Sequence, residues 1–222
     1  MKDSPILVVD DDPVTCAMLA AWLEHRGAKA LVAESVAAAD AILASQPVEL
    51  VLSDVHLPGN QQLRWVQGVL ARPGAPAVLL ITGNPELETT LRAANLATSG
   101  YLVKPLEFSE LERRCNDILS ARNRRRELLD LSRETARLLE SPDEGAGLDP
   151  SLRSHLSRLA GNLSAAADRG DRDTAPSEEP WRRTIVEAIA VLEKTKHAFR
   201  SKDLGILRRR LEDTLRHHRA SA

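Results

Sequence analysis

Over its first 106 residues the chain repeats one pattern: a short apolar run, a few turn residues, then a stretch with helical spacing. The apolar runs fall at Ile6–Val9, Ala28–Val32, Leu50–Ser53, Ala77–Ile81 and Tyr101–Val103. Amphipathic stretches lie between them near 13–26, 35–45, 61–71 and 86–95. Alternation of β and α at this spacing predicts a parallel sheet with helices on both faces. The near-continuous apolar character of the strands agrees, because a parallel sheet is buried on both sides. Ligands of such folds sit beyond the carboxyl ends of the strands, so that edge is where chemistry is expected.

At 222 residues the chain is long enough for two small domains. Apolar residues at 43% and charged residues at 28% place it among globular proteins. Aromatics are only 3%, so the core must come mainly from Leu, Val, Ile and Ala. No apolar run approaches a bilayer span, and no secretion signal is recognisable at the N-terminus. Cys16 and Cys115 are far apart and unpatterned, which fits a reducing cytoplasm and argues against a disulfide framework or a zinc site. Charge is uneven. Residues 1–120 hold 9 basic and 15 acidic side chains, whereas 181–222 hold 11 and 5, which suggests two parts with different partners.

Beyond the alternating region the pattern becomes helical. A helix is expected from about Phe108, capped by Ser109 or the preceding turn. It has no Gly or Pro between Leu111 and Glu140, and Leu128, Leu131, Thr135, Leu138 and Leu139 keep its rhythm. Ser141-Pro142 and Gly145-Ala146-Gly147 break it. Leu148, Leu152, Leu156, Leu159 and Leu163 mark a second helix with Pro150 in its first turn. These make an extended helix and connector over 121–168, and the polar segment 169–180 reads as a linker. The remainder, 181–222, reads as a basic helical hairpin: a helix from about Trp181 to Phe199, then Ser201 as cap of another from Lys202 to about His217.

The strand ends carry the chemistry. The first ends in Val9-Asp10-Asp11-Asp12-Pro13 and the third in Ser53-Asp54. Taken alone, an acidic pair before Pro13 is also what a helix cap looks like. If the strands are neighbours, Asp10, Asp11 and Asp54 converge, and clustered carboxylates need a cation. Oxygen ligands select a hard ion such as Mg²⁺, which takes one or two carboxylates, keeps several waters and accepts phosphate oxygens. The fourth strand ends in Ile81-Thr82-Gly83 and supplies a hydroxyl; the fifth ends in Val103-Lys104-Pro105 and supplies an ammonium. Carboxylates, metal, hydroxyl and amine around one nucleophilic carboxylate make a phosphoryl-transfer site.

With these residues in view, 5–120 resembles the receiver domain of two-component response regulators. The segments that carry the likeness are ILVVDDDP (6–13), LVLSDVHLPG (50–59), LLITG (79–83) and YLVKP (101–105). The resemblance implies a five-stranded doubly wound sheet of order 2-1-3-4-5. It implies Asp54 as acceptor of a phosphoryl group from a histidine kinase or phosphotransfer protein. Asp11 would bind Mg²⁺ directly, Asp10 largely through water, and the backbone carbonyl of His56 would complete the protein ligands. Thr82 and Lys104 would hold the phosphoryl group, Tyr101 would turn inward as the switch aromatic, and Lys104-Pro105 would be cis. Two departures stand out: Gly59-Asn60-Gln61-Gln62 lacks the usual second glycine, and His56 is an uncommon type two residues beyond the acceptor. The first should alter loop geometry, and the second bears on how long the phosphoryl group survives.

The helical half matches no family by eye, and it shows no glycine-rich phosphate loop and no paired acid and base. Three outputs stay open: protein interaction or homodimerisation through the helices, DNA contact through Arg208-Arg209-Arg210, and onward phosphotransfer. His155, a lone histidine in a Leu-rich helix, is a candidate for the last, but its segment carries no second supporting feature. His197, His217 and His218 show no ligand spacing, and Arg122 and Arg124–Arg126 read as a solvated face. Trp22 and Trp65 read as core. The chain is expected to be a cytoplasmic signalling protein, with no catalysis beyond phosphoryl acceptance and autodephosphorylation.

Overall fold

A computed structural model of the chain describes residues 1–60, 63–83, 98–140, 150–169, 180–195 and 202–217. It divides into two compact units, Met1–Ser120 and Ala121–Ala222.

The first unit is a parallel sheet with helices. Its strands are β1 (Pro5–Val9), β2 (Lys29–Ala33), β3 (Leu50–Asp54), β4 (Ala77–Thr82) and β5 (Tyr101–Val103). They lie in the order β2-β1-β3-β4-β5, the order the resemblance implies, and every pairing is parallel. The helices are α1 (Pro13–His25), α2 (Val36–Ser45), α3 (Arg64–Leu70) and the start of α4 (Phe108–Glu140). The helix expected near 86–95 lies outside the described residues.

Successive strand residues face opposite sides, so the central strands β1, β3 and β4 each feed two cores. Ile6, Val8, Leu50, Leu52, Leu79 and Ile81 pack with Leu19 and Leu23 of α1 and Leu111 and Cys115 of α4. Leu7, Val9, Val51, Val78 and Leu80 pack with Ala39 of α2 and Val66 and Val69 of α3. That two-sided burial is why β1, β3 and β4 have no polar alternation, whereas the edge strands β2 and β5 are partly exposed.

Local chemistry sets the element ends. Asp12 caps α1: its carboxylate accepts from the backbone N–H of Val14 and Thr15 and from Thr15 Oγ. Pro13 follows as the first helical residue, where its missing N–H costs nothing. Ser35 caps α2 by accepting from Ala38 N–H. β2 begins one residue later than the apolar run suggests, because the Ala28 N–H is bonded to Leu23 O in the turn that closes α1, with Gly27 at φ +78. α3 begins at Arg64 rather than 61: Leu63 sits at φ +60 and its N–H closes a turn on Asn60 O. Residues 61–62 lie outside the described set. Trp65 is core, while Trp22 is half-buried, 5.5 Å from the Phe108 ring and 4.2 Å beneath the Arg26 guanidinium.

The second unit is helical. Among its described residues it comprises the latter part of α4, α5 (Pro150–Arg169), α6 (Pro180–Thr195) and α7 (Lys202–His217). Leu128, Leu131 and Leu138 of α4, Leu156, Leu159 and Leu163 of α5, Ile185, Ala188 and Leu192 of α6, and Leu204, Leu207 and Leu211 of α7 form one buried cluster. Each helix contributes at a spacing of three, four or seven, which places its apolar residues on one stripe. Polar pins cross between helices: Ser132 Oγ donates to Ala160 O at 2.9 Å, and Thr214 Oγ to a carboxylate oxygen of Glu127. Ser201, the expected cap of α7, and Lys196–Phe199, the expected end of α6, lie outside the described residues, as does most of the segment read as a linker.

Candidate functional site

The strand ends meet because the register brings them level. Val9 pairs with Ser53, Asp54 with Ile81, and Thr82 with Val103. One step beyond the first and last pairs, Asp10 and Lys104 therefore stand beside Asp54 and Thr82 at the carboxyl edge. Lys104 is held there by its own N–H, which donates to Thr82 O at 2.7 Å, and its bond to Pro105 is cis.

Asp10 and Asp54 are both buried, at 3% and 6% exposure. The Lys104 ammonium lies between them, 2.8 Å from Asp10 Oδ2 and 3.0 Å from Asp54 Oδ1. Each carboxylate also accepts a backbone hydrogen bond two residues on: Asp12 N–H to Asp10 Oδ1 at 3.0 Å, and His56 N–H to Asp54 Oδ2 at 2.7 Å. These four contacts fix both groups and leave little rotational freedom to Asp54. Burial alone would lower the Lys104 pKa, but its hydrogen bonds to Asp10 and Asp54 outweigh it and raise the value. The lysine is thus held firmly charged.

Thr82 is buried at 3% at the end of β4. Asp11 and the His56 side chain are exposed at the rim. Tyr101 is 42% exposed on β5, facing away from the core that takes Leu102. Asn60 is buried at 2%, and neither of its side-chain polar atoms has a protein partner. Gly59 beside it takes φ +91, which a side chain would strain.

Among the described residues no three carboxylate, imidazole or thiolate side chains already surround one point. The donor set nonetheless suits Mg²⁺, which asks for one or two carboxylates, a carbonyl and waters rather than a full protein cage. Asp10, Asp11 and Asp54 with the carbonyl of His56 are oxygen donors at one edge, and the cation position between two of them is taken by an ammonium.

Asp12 is the helix cap that the acidic pattern before Pro13 allowed. Sequence reasoning missed two features here. The bridging of two carboxylates by Lys104 has no sequence signal, since it joins residues 94 positions apart. The other is Asp40, which accepts from Trp65 Nε1 at 3.1 Å and from Arg72 at 2.6 Å and ties α2 to α3 and the turn after it.

A family model described as the response regulator receiver domain matches residues 6–116. The chain is 35% identical over 119 residues to the transcriptional regulatory protein AruR of Pseudomonas aeruginosa, covering 51% of this chain and 48% of that protein, so it spans about half that relative's length. It is 26% identical over 188 residues to the acid tolerance regulatory protein ActR of Rhizobium meliloti, covering 85% of this chain and 87% of that one. Among solved structures, the signal receiver domain of an HD domain-containing protein from Pseudomonas fluorescens superposes with a TM-score of 0.50 at 27% identity. It covers 54% of this chain and 96% of that one. No helix among the described residues is long and apolar enough to cross a membrane.

Proposed function

The chain belongs to the response regulator receiver domain family, and on that premise we propose that Asp54 accepts a phosphoryl group from a phosphohistidine on a cytoplasmic sensor kinase or phosphotransfer protein. The observation that carries this is Asp54 itself: a buried carboxylate at a strand end, hydrogen-bonded by one neighbouring N–H and paired with an ammonium.

A carboxylate oxygen of Asp54 attacks phosphorus in line with the phosphorus–nitrogen bond of the donor. That bond breaks, and the imidazole leaves with its electron pair and takes up a proton. Asp11, Asp54 and the carbonyl of His56, with Asp10 largely through water, would hold Mg²⁺, which would neutralise the phosphoryl oxygens. Lys104, which bridges Asp10 and Asp54 at rest, turns to the new phosphoryl oxygens, and the Thr82 hydroxyl donates to another. The modification adds roughly 1.5–2 negative charges. Thr82 and Lys104 follow it, and Tyr101 moves inward to fill the space that Thr82 vacates. Water later attacks the same phosphorus, so the receiver dephosphorylates itself at a rate that the His56 side chain influences.

The output runs through the helical unit by protein interaction, including pairing with a second copy. Two of the three arginines in the basic run are engaged within that unit: Arg208 pairs with Glu193 and Glu212, and Arg210 with Glu134. They are therefore poorly placed for phosphate contacts. DNA contact is the second reading, favoured by relatives named as transcriptional regulatory proteins, AruR among them.

The test is labelling with acetyl phosphate and Mg²⁺ on wild type and Asp54→Ala, read by intact mass and elution volume. One phosphoryl addition in wild type and none in the variant is expected. No addition in either, or an addition that survives in the variant, refutes the assignment.

A further inference from the structure

The helical unit contains a histidine that receiver chemistry does not use. His155 is half-buried on α5 and lines a shallow, solvent-open cleft against α6. Arg158 and Asn162 share the cleft wall with it, three and seven residues on, which places all three on one helix face. Glu187 lines the cleft from α6, and buried Leu159 and Leu192 form its apolar floor. Arg158, Asn162 and Glu187 are exposed at the rim.

Each group suits one task. A neutral imidazole carries one unprotonated ring nitrogen, a nucleophile, and one N–H. A guanidinium one turn away matches the oxygens of a tetrahedral phosphoryl group with paired donors. The Asn162 amide adds further N–H donors. A carboxylate across the cleft can hold the N–H of the other ring nitrogen and stabilise the positive ring that phosphorylation creates.

We propose that His155 is a second phosphoryl-accepting residue of this chain, with the cleft wall of Arg158 and Asn162 as its phosphoryl-binding groups. The unprotonated ring nitrogen attacks phosphorus of an acyl phosphate and forms a phosphorus–nitrogen bond. The phosphorus–oxygen bond to the acyl group breaks, and the carboxylate leaves with the electron pair. The other ring nitrogen keeps its proton, and the resulting positive ring lies between the phosphoryl group and Glu187. The donor is a receiver aspartyl phosphate, of which Asp54 is the example this chain carries; only the donor's identity rests on the receiver reading.

The test uses the full chain with Asp54→Asn, which removes the acceptor aspartate, and phosphoramidate as a direct donor to histidine. Phosphorylated peptides are mapped by mass spectrometry under alkaline conditions. His155 should gain an acid-labile, alkali-stable phosphate at least about tenfold faster than the exposed His25 and His56 of the same molecule. Adding Arg158→Ala should slow His155 by about ten- to a hundredfold, leave His25 unchanged and keep the helical circular dichroism. Labelling of His155 no faster than His25, or a rate indifferent to Arg158, overturns the proposal. Asp54 is assayed separately in His155→Gln with acetyl phosphate, so a failure of the receiver reading is seen by itself.

Discussion

Replacing Lys104 with Met would leave two buried carboxylates with no cation between them. In the metal-free protein the ammonium makes two charge-assisted contacts, at 2.8 Å to Asp10 and 3.0 Å to Asp54, whose side chains are 4% and 8% exposed. A hydrogen bond to a charged group contributes about 1.5–3 kcal/mol, so two fully buried ones would reach about 3–6 kcal/mol. The Lys104 side chain is itself 30% exposed, and solvent screening reduces the sum to about 2–3 kcal/mol. For a unit of this size that corresponds to a fall in Tm of roughly 10 °C. Calorimetry in EDTA, following the receiver transition, reads it directly. Saturating Mg²⁺ should close at least about half the gap, because the divalent ion takes over the neutralisation. The gap should hold steady from mildly acidic pH up to the ordinary lysine value near 10.4 and shrink only above it. A cation whose folded pKa is raised contributes its full stability below the unfolded value and loses it as pH climbs through the folded one. Equal melting of variant and wild type in EDTA would refute the reasoning, as would a gap that Mg²⁺ leaves untouched.

Other perturbations reach the remaining parts of the molecule. Leu131→Ala empties a fully buried position among the helices of the second unit and should cost about 2–5 kcal/mol there, read by urea denaturation followed by circular dichroism. Both thiols should resist a chromogenic disulfide reagent at pH 8 and react only in denaturant: burial pushes Cys115 up to about 12 and raises Cys16 as well. Asp12 is held below the usual carboxylate range by its hydrogen bonds from the Thr15 side chain and the Val14 N–H. Its cap therefore stabilises α1 above the unfolded value near 3.9 and fails as pH falls below that, so Asp12→Asn should flatten the acid limb of the receiver's stability profile while leaving Mg²⁺ binding intact. If the basic run served DNA, Arg209→Ala would weaken salt-sensitive duplex binding. With Arg208 and Arg210 held in ion pairs, Arg208→Ala and Arg210→Ala should instead lower the thermal stability of the helical unit.

The central strands β1, β3 and β4 were legible because they are buried on both faces and so read as unbroken apolar runs, and the partly exposed edge strands β2 and β5 were legible from their short apolar runs alone. The order of the sheet was reached through the likeness of four motifs, since apolar runs name strands but not their neighbours. The errors at β2 and α3 share a cause: hydrophobic pattern marks which residues are buried, whereas the end of a helix or strand is set by backbone bonds such as Ala28 N–H to Leu23 O and Leu63 N–H to Asn60 O. The helical stripes of 128–138, 156–163, 185–192 and 204–211 were equally visible. That they close into one core was not, because a stripe shows that a face needs cover without saying what covers it.

The sequence by itself determined where Asp10, Asp54, Thr82 and Lys104 stand, because each ends or directly follows a strand and parallel strands of one sheet end at a common edge. Tertiary structure alone decided what those groups and the helical ones do to one another. It placed the Lys104 ammonium between two carboxylates, tied Arg208 and Arg210 to glutamates of neighbouring helices, and set His155 in a cleft opposite Glu187. Spacing along a chain fixes a side chain's position on its own element. Contacts between elements depend on how the packed surfaces meet, and charge and hydrogen bonding act only over those few ångströms.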